Sequence, residues 1–249
     1  MAVRPLAVRR QAQFEHRNGS SISSIAARLG LPYQTVRTWC RHEGAPDSRF
    51  TEDRCFRCRP ATPADHAQYA YLLGAYLGDG HLVTSAKVPV LRISCTEVYP
   101  DLMDQTERAM LATLANRVQR IRQKGCVNLQ SYSKHWPCLF PQAGPGKKHE
   151  RKIELEPWQR ATVLDHPGAF VRGLFHSDGC RAVNRITKAG RTYEYPRYLF
   201  ANESADILAL CGWALDLLGV AWRLNRRNSL SVARRDAVAL LDRHVGPKS

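Results

Sequence analysis

The sequence lacks any long hydrophobic run. None of its apolar stretches approaches the roughly 18 to 20 residues that a membrane-spanning helix needs. The N-terminal residues include arginines but not the continuous apolar stretch of a secretory signal peptide. We therefore expect a soluble protein of the cytoplasm that has no membrane partner.

Acidic residues are scarce relative to basic ones. The 249-residue chain has 22 Asp and Glu against 37 Lys and Arg, which gives it a formal net charge of +15. A surplus of this size favours a polyanionic partner and, within the cytoplasm, an association with the nucleoid. Hydrophobic residues make up 44% of the chain, which is enough for a folded core. An interaction protein that binds RNA or acidic proteins through its charge is an alternative.

Close cysteine pairs are also scarce. Of the eight cysteines, only Cys55 and Cys58 have the Cys-x-x-Cys spacing that is typical of half a zinc site. Candidates for two further ligands are His66, Cys95, Cys126, His135, Cys138 and His149. His135 and Cys138 are three residues apart and could complete a Cys₃His site for Zn²⁺. Buried or incidental thiols in a reducing compartment are the alternative.

The chain divides into three segments by composition. Residues 1–44 have a helical pattern and predict a small all-α domain. Residues 45–65 begin with Ala, Pro and Ser and contain the Cys-x-x-Cys pair, which predicts a linker with a Cys knuckle. Residues 66–249 contain the same succession of helix-like and strand-like stretches twice, which indicates a pseudo-twofold domain. Between the repeats, residues 135–149 predict an extended connection that can contact phosphate.

Residues 22–39 predict two helices joined by a tight turn. Gly30 permits a positive φ angle in the turn, Ala26 is small where the helices would cross, and Pro32 can open the second helix. The apolar residues between the helices are Ile25, Leu29, Leu31, Val36 and Trp39, and the exposed side of the second helix carries Tyr33, Gln34, Thr35, Arg37 and Thr38. The segment resembles a helix-turn-helix, in which Gln34, Thr35 and Arg37 would bind DNA and the long side chains would reach base edges. A plain helical hairpin is the alternative.

Two nine-residue segments that lie 99 residues apart have the same pattern. They are Leu72–Gly80 (LLGAYLGDG) and Val171–Gly179 (VRGLFHSDG). In each segment two small residues lie four positions apart, and the pairs are Gly74 with Gly78 and Gly173 with Ser177. Because residues four apart share a helix face, two such helices could approach with their backbones nearly in contact.

Each of these segments ends in an aspartate followed by a glycine. Asp79 and Asp178 would lie at the C-terminal ends of the paired helices, where the helix dipole and the second carboxylate both disfavour negative charge. A hard divalent cation with oxygen ligands is the simplest way to offset that cost. The glycines suit a helix stop. The alternative is that Asp-Gly is a common turn dipeptide at the end of a core helix.

The two segments resemble the motif of the LAGLIDADG homing endonuclease family, and the resemblance covers roughly residues 66–245. It implies an α+β fold of two αββαββα repeats with pseudo-twofold symmetry in one chain, here preceded by the helix-turn-helix domain. It also implies a monomer whose curved antiparallel sheets lie in the major groove of double-stranded DNA. By the same resemblance, Asp79 and Asp178 would each bind Mg²⁺ and help to activate water at one phosphate per strand, which makes a double-strand break.

Two predicted strands have alternating basic and apolar residues. The first set is Arg120, Arg122 and Lys124, opposite Ile121, and the second is Arg223, Asn225 and Arg227, opposite Trp222 and Leu224. Alternate residues of a strand share one face of the sheet. Because the two sets occupy equivalent positions in the two repeats, the pattern favours contact with DNA. A solvated charged face is the alternative.

The segments depart from the family's motif at one position, where Leu77 and His176 replace its first acid. Active members also rely on basic residues near the metal, and Lys87, Lys124 and Lys188 are candidates here by location only. Some transcriptional regulators combine this fold with a helix-turn-helix and bind DNA without cutting it. The sequence therefore leaves a metal-dependent endonuclease and a non-cleaving regulator open, and retention of both aspartates favours the endonuclease.

Overall fold

The chain folds into two compact units. The computed structural model describes residues 6–41, 54–246 and 248, and the units comprise Met1–Arg49 and Phe50–Ser249. The predicted linker at residues 45–65 lies outside the described residues as far as residue 53, and its remainder belongs to the second unit. The proposed limits of the linker therefore stay a prediction.

Helices form the first unit around a small apolar core. They are α1 (Leu6–Arg17), α2 (Ile22–Arg28) and α3 (Tyr33–Arg41). Their buried side chains are Ala12, Ile25, Ala26, Val36, Trp39 and Cys40. Ser21 caps α2 by accepting a hydrogen bond from the Ser24 amide at 3.2 Å, and Gly30 has the positive φ angle expected of it, +62°. The identity of this unit as a helix-turn-helix DNA-binding domain stays a prediction.

The second unit contains two successive halves with the same order of elements. The first half contains α4 (His66–Asp79), β1 (Gly80–Val83), β2 (Val90–Thr96), α5 (Pro100–Thr113), β3 (Gln119–Gln123) and β4 (Cys126–Tyr132). The connection contains α6 (Trp136–Leu139) and α7 (Pro157–Asp165). The second half contains α8 (Pro167–Asp178), β5 (Gly179–Lys188), β6 (Arg191–Ala201), α9 (Ala205–Leu217), β7 (Arg223–Arg226), β8 (Ser229–Val232) and α10 (Arg235–Val245). The α+β class and the internal repeat are thus confirmed.

Each half builds a four-stranded antiparallel sheet, in the strand orders β1-β2-β4-β3 and β5-β6-β8-β7. Alternate residues of each sheet belong to the hydrophobic core, among them Leu91, Ile93 and Leu129 in the first sheet and Tyr198, Phe200 and Leu230 in the second. The residues between them lie on the opposite side of the sheet, called the outer face below. Each half therefore has one core face and one outer face.

Helices α4 and α8 pack against each other with their backbones nearly in contact. A Cβ atom on Gly74 would lie 2.3 Å from the carbonyl oxygen of Phe170, and one on Gly173 would lie 2.1 Å from that of Tyr71. Only glycine permits an approach this close. All nine residues of α4 from Tyr69 to Leu77 are buried, so this helix pair lies at the centre of the core.

The glycines that follow the two aspartates are required for a different reason than the one predicted. A helix-stop glycine usually adopts a left-handed conformation, but Gly80 and Gly179 are extended, with φ of −84° and −99°. A Cβ atom on Gly80 would lie 2.4 Å from Cα of Tyr76, and one on Gly179 would lie 2.5 Å from the Phe175 ring. The chain passes from each helix directly into a strand, so close to that helix that no side chain fits.

The two halves differ in the length of their first hairpin. Strands β5 and β6 have 10 and 11 residues, whereas β1 and β2 have 4 and 7. Strands β5 and β6 are joined by a tight turn with positive φ angles at Ala189 (49°) and Gly190 (74°). The second sheet therefore extends further from the helix pair than the first.

The sequence predicted an extended connection at residues 135–149, but part of this connection is helical. Helix α6 lies near its start, and Trp136, Leu139 and Phe140 are completely buried. Pro137 is compatible with this helix because it lies in the first turn, where its missing amide hydrogen is not needed. Burial of the three large side chains outweighs the extended preference of a Pro- and Gly-rich stretch.

The described helices are short or polar by the standards of a lipid bilayer. Within residues 6–41 and 54–246, none combines the length and apolar character that a membrane crossing requires.

We expect Gly74→Ala and Gly173→Ala each to lower the free energy of unfolding by about 3 kcal/mol, the upper end of the usual cost of overpacking. The added methyl group would overlap a backbone atom of the facing helix, which has no room to move aside. Gly144→Ala is the matched control, because its nearest neighbour is the flexible Arg151 side chain at 3.4 Å, and it should cost less than about 0.5 kcal/mol. Chemical denaturation measures all three, and similar values would contradict the close helix contact.

Candidate functional site

Asp79 and Asp178 lie together at the adjoining C-terminal ends of α4 and α8. The Oδ2 atom of Asp178 is 3.0 Å from where a Cβ atom of Gly78 would lie, and Gly78 immediately precedes Asp79. The Asp79 side chain is partly exposed to solvent, and Asp178 is half-buried. The repeated motif thus brings its two acids together across the helix pair.

The surroundings of both carboxyl groups disfavour negative charge. The pKa of Asp79 is raised to about 6, first because the crowded helix ends displace water from it and second because Asp178 repels its charge. Desolvation also raises the pKa of Asp178, although a hydrogen bond from Asn202 Nδ2 at 2.6 Å opposes the change. The negative ends of two helix dipoles add to this cost. The site therefore needs positive charge nearby.

Lys148 supplies one positive charge. Its Nζ donates hydrogen bonds to the carbonyl oxygens of Tyr76 (2.5 Å), Leu77 (3.0 Å) and Gly78 (2.8 Å) in the last turn of α4. Carbonyl groups at a helix C-terminus lack partners within the helix, and a cation there also offsets the dipole. Burial lowers the pKa of Lys148 to about 8, while the two aspartates oppose this shift.

Lys248 supplies a second positive charge at the corresponding place in the other half. Its Nζ donates to the carbonyl oxygen of Gly179, the residue that follows Asp178. Burial lowers its pKa, against the opposing charges of Asp79 and Asp178. Lys148 follows Asp79 by 69 residues and Lys248 follows Asp178 by 70, so the lysines follow the same internal repeat as the acids.

Sequence reasoning missed these two lysines. It favoured Lys87, which lies between β1 and β2, Lys124, which lies in the turn between β3 and β4, and Lys188, which is the last residue of β5. Lys87 and Lys124 lie in strand connections and Lys188 at the end of a strand, whereas Lys148 and Lys248 reach the helix ends. The matching separation from the two aspartates is the signal that could have identified them.

His176 replaces the first acid of the motif and is part of the core. Its Nε2 lies 3.1 Å from the carbonyl oxygen of Val245, and its Nδ1 lies 3.2 Å from the hydroxyl of Tyr71. Desolvation lowers the pKa of His176 to about 4, so the ring is neutral near pH 7 and can donate to Val245 while it accepts from Tyr71. His176 therefore links α8 to α4 and α10 as a packed residue.

A pocket of about 580 Å³ opens beside the carboxyl group of Asp178. Its lining includes His81, Lys148, Arg151, Asp178 and Asn202. The pKa of His81 is lowered by desolvation and by the positive charges of Lys148, Arg92 and Arg151. A pocket with this basic and polar lining is suited to an anionic group such as a phosphate.

The outer face of the second sheet carries basic and aromatic side chains. Arg197 donates to the hydroxyl of Ser231 at 3.0 Å, and Arg223 pairs with Ser231 in the ladder between β7 and β8. Tyr193 and Tyr195, which precede Arg197 at alternate positions of β6, are each 44% exposed. This face can therefore offer both guanidinium groups and aromatic rings to a ligand.

The outer face of the first sheet is richer in amide groups. Its exposed and half-buried residues include Arg92, Ser94, Gln119, Ile121 and Asn128. Ser94 Oγ donates to Asn128 Oδ1 at 2.7 Å, and Gln130 Nε2 donates to Gln119 Oε1 at 3.0 Å. The two outer faces thus correspond in position but differ in chemistry.

The strand register corrects the predicted face of β3. Arg120 and Arg122 pair with Leu129 and Val127, whose side chains are buried in the core. Residues that pair directly across an antiparallel ladder have side chains on the same face. Arg120 and Arg122 therefore lie on the same face of the sheet as the core residues, but they are exposed. Ile121 lies on the outer face. Alternation was predicted correctly, but it does not tell which face meets the helices.

Arg120 is also already paired. Its guanidinium forms ion pairs with Asp104 and Glu107 of α5, both at 2.5 Å. Lys124, predicted to continue the basic stripe, lies beyond the end of β3 in the turn that contains Gly125. Contact of these residues with DNA stays a prediction, and the geometry does not favour it.

Strand β7 is less regular than the sequence predicts. Arg223 lies on the outer face, but the register shifts between Leu224 and Arg226, so Asn225 lies in a bulge. Arg227 lies in the following turn, where it forms an ion pair with Glu203 at 3.2 Å. The bulge places Arg226 opposite Ser229, on the outer face.

The residues predicted to bind DNA on α3 lie away from the core of the first unit. Gln34 is exposed, and Thr35 and Arg37 are half-buried. Val36 and Trp39, on the other side of the helix, are buried. The helix thus presents these polar residues at the surface of its own unit.

The structure brings together one of the predicted sets of metal ligands. The ligand atoms of Cys55, Cys58, His135 and Cys138 all lie within 4.8 Å of one another. The other candidates, His66, Cys95, Cys126 and His149, are not part of this cluster.

Comparison with known proteins identifies the fold of the second unit. No protein-family sequence model matches the chain, and no curated protein sequence matches it significantly. Mesophilic variants of the homing endonuclease I-DmoI have a similar structure, with a TM-score of 0.50 and 18% identity over 73% of this chain and 91% of theirs. The N-terminal LAGLIDADG domain of DUF199/WhiA has a TM-score of 0.50 and 13% identity over 82% of this chain and 93% of that domain. The fold is therefore that of the LAGLIDADG proteins.

Because the pKa of Asp79 in the folded protein is about 6, above the value of about 4 in an unfolded chain, the folded state binds more protons between these values. Stability should therefore fall as the pH rises from about 4 to about 6 in the absence of divalent cations. We expect Asp79→Asn to be more stable than the wild type near pH 7 but not near pH 4, as measured by chemical denaturation. Asp165→Asn at the end of α7 is the control, and the same pH dependence there would contradict a specific effect of Asp79.

Proposed function

We propose that the protein is a sequence-specific double-stranded DNA-binding protein that makes a Mg²⁺-dependent double-strand break. The observation that carries this proposal is the pair Asp79 and Asp178, held together at the abutting ends of α4 and α8 with Lys148 and Lys248 beside them. Two carboxyl groups on a pseudo-twofold axis suit two phosphates on opposite strands, one for each half.

The proposal that the ligand is DNA rests on the net charge of the chain and on the side chains of the two outer faces. The chain has a net charge of +15, and the two outer faces offer arginine, amide and tyrosine side chains from equivalent strands. Arginine and amide groups are the side chains that read base edges in the major groove, and basic residues neutralise phosphates. The likeness to the homing endonuclease I-DmoI shows the fold alone, and the function rests on these residues.

The donor set at the helix ends fits a hard divalent cation. The carboxylate oxygens of Asp79 and Asp178 would hold it, and Asn202 fixes the orientation of Asp178 through its 2.6 Å hydrogen bond. Bound Mg²⁺ would supply Lewis acidity and a lowered pKa for a coordinated water. The raised pKa values of both acids are consistent with this fit, since a cation stabilises the charged carboxylates that burial disfavours.

The lysines and the pocket residues would act on the phosphate. With a pKa of about 8, Lys148 is mostly protonated near pH 7 and can stabilise additional negative charge on a phosphate. Arg151 and His81 line the same pocket and can position the DNA backbone. Lys248 would have a corresponding role for the other strand, because it donates to the carbonyl oxygen of the residue that follows Asp178.

A non-cleaving transcriptional regulator is the second candidate. Lys148 and Lys248 already place positive charge at the ends of α4 and α8, so the acid pair does not depend on a metal alone for compensation. Leu77 and His176 also replace the first acid of the motif, and His176 is neutral and buried. In this function Asp79 and Asp178 would be structural residues of the helix ends.

The first unit would add a second recognition element. Gln34, Thr35 and Arg37 lie on α3, whose opposite side packs in the core of that unit, so a major groove could accept this helix without unfolding it. Recognition shared between this helix and the outer faces would give a long target site, which suits either candidate function.

We expect Asp79→Asn and Asp178→Asn each to lower double-strand cleavage by roughly two orders of magnitude or more while DNA affinity stays equal or rises. Each change removes a metal ligand and relieves repulsion at the helix ends. The measurement is the appearance of linear products from a supercoiled plasmid library with Mg²⁺, with EDTA as control, alongside binding measured in Ca²⁺. Asp165→Asn should cut as the wild type does. Tight binding to a specific site with no nicking in Mg²⁺ or Mn²⁺ would support the regulator instead.

We expect Arg197→Gln and Arg223→Gln each to weaken DNA binding and to reduce the slope of log K against log salt by about one, because each lost phosphate contact releases about one counterion fewer. Arg185→Gln is the matched control, since Arg185 lies on the opposite face of the same sheet and pairs with Glu194 at 2.8 Å. Binding titrations at several salt concentrations measure the slopes. A loss at Arg185 and none at Arg197 would show that the outer face does not meet the DNA.

A further inference from the structure

The Cys-x-x-Cys segment forms a tight turn at the start of the described part of the second unit. The amides of Cys58 and Arg59 donate to the carbonyl oxygen of Cys55 at 3.1 and 2.9 Å. The turn brings the sulfur atoms of Cys55 and Cys58 within 4.8 Å of each other, as two ligands of one metal ion must be.

Contacts of the residues on either side of Cys55 hold the turn in place. Arg54 donates to the carbonyl oxygens of Leu111 and Ala115 at the end of α5, both at 2.7 Å. The buried Phe56 ring packs edge-on against His66, Tyr69 and Trp158, at centroid distances of 5.4, 5.6 and 5.8 Å. The two sulfurs are thus fixed relative to the core.

The facing surface belongs to the connection between the two halves. His135 caps α6, and Cys138 lies on its first turn, where its amide donates to the carbonyl oxygen of His135 at 3.1 Å. Trp136 and Leu139 are completely buried and fix the orientation of this short helix. His135 and Cys138 therefore face the cysteine turn from a second fixed element.

The distances between the ligand atoms match those of a tetrahedral metal site. Cys58 Sγ lies 3.1 Å from His135 Nδ1 and 3.7 Å from Cys138 Sγ, and Cys138 Sγ lies 3.8 Å from His135 Nδ1. Metal–ligand bonds of about 2.3 Å for sulfur and 2.0 to 2.1 Å for nitrogen place tetrahedral ligand atoms roughly 3.5 to 3.8 Å apart. The observed distances lie around this range.

We propose that Cys55, Cys58, His135 and Cys138 bind a structural Zn²⁺ ion. Three thiolates and an imidazole fill all four tetrahedral positions, so the site is closed and has no place for a reacting water. The ion would join the cysteine turn to α6 across the 77 residues that separate Cys58 from His135. A disulfide explains the cluster less well, because it needs sulfurs about 2.05 Å apart and has no use for His135.

This site is independent of the proposed DNA cleavage, because it contains none of the residues around Asp79 and Asp178. Asp79→Asn should therefore retain its zinc. Soft thiolate ligands also select Zn²⁺ over Mg²⁺, which prefers oxygen. Loss of cleavage and loss of zinc can consequently be observed separately in the same preparations.

The first test is the metal content of the full chain, purified in reductant without chelators or a metal-affinity step. Mass spectrometry of the acid-digested protein should give about one zinc per chain. Replacement by Co²⁺ should give the intense visible bands of tetrahedral cobalt together with a thiolate-to-cobalt charge-transfer band. A folded wild type that contains no zinc and gives no such spectrum would overturn the proposal.

The second test uses variants of the ligands. Cys58→Ser and His135→Asn should weaken zinc binding by more than about 100-fold in a chelator competition, since even loss of a supporting group costs up to that factor. His135→Cys should retain the ion as a Cys₄ site. Cys180→Ser, which removes an exposed cysteine outside the cluster, is the matched control and should bind as the wild type does.

The third test measures stability, which covers the case in which a ligand variant folds poorly. A zinc chelator should lower the melting temperature of the wild type and of Cys180→Ser, and added Zn²⁺ should restore it, whereas Cys58→Ser should respond to neither. Unchanged zinc affinity in Cys58→Ser, or a disulfide between Cys58 and Cys138 that persists in native protein purified in reductant, would overturn the proposal.

Discussion

The contact between the backbones of α4 and α8 is the constraint on which the rest of the structure depends. Gly74 and Gly173 each lie against a carbonyl oxygen of the facing helix, so the separation of the two halves is set by main-chain atoms rather than by compressible side chains. Each helix leads directly into the first strand of its sheet at Gly80 and Gly179. The positions of both sheets and both carboxyl groups follow from that one separation.

The same contact concentrates negative charge at the ends of α4 and α8, and two lysines partly compensate it. Two helix C-termini and two carboxyl groups come together, and desolvation there raises the pKa of both acids. Lys148 and Lys248, which lie far along the chain from the two acids, donate hydrogen bonds to carbonyl groups at these termini. The compensation is partial, because the pKa of Asp79 stays near 6 with both lysines present. The remaining imbalance is what a cation or a bound phosphate could alter.

The features that sequence reasoning could predict were those encoded by local pattern. The repeated Asp-Gly motif, the internal repeat and the turn at Gly30 depend on residues close in sequence, and all are present. The face of Arg120, the arrival of Lys148 and the choice of His135 with Cys138 depend on how distant elements pack. Alternation of residue types along a strand separates its two faces but does not show which face the helices cover. The sequence likewise names six candidate metal ligands without the distances between them.

The burial of α4 has a consequence during synthesis. Its residues from Tyr69 to Leu77 are covered in the finished protein, but Gly173 of the partner helix follows Gly74 by 99 residues. At a translation rate of about 5 to 20 residues per second, roughly 5 to 20 s pass before the partner helix leaves the peptidyl-transferase centre. During that time the apolar helix α4 lacks the partner helix that covers it in the folded protein. We expect a nascent chain of this kind to need chaperones more than one whose first half can fold alone.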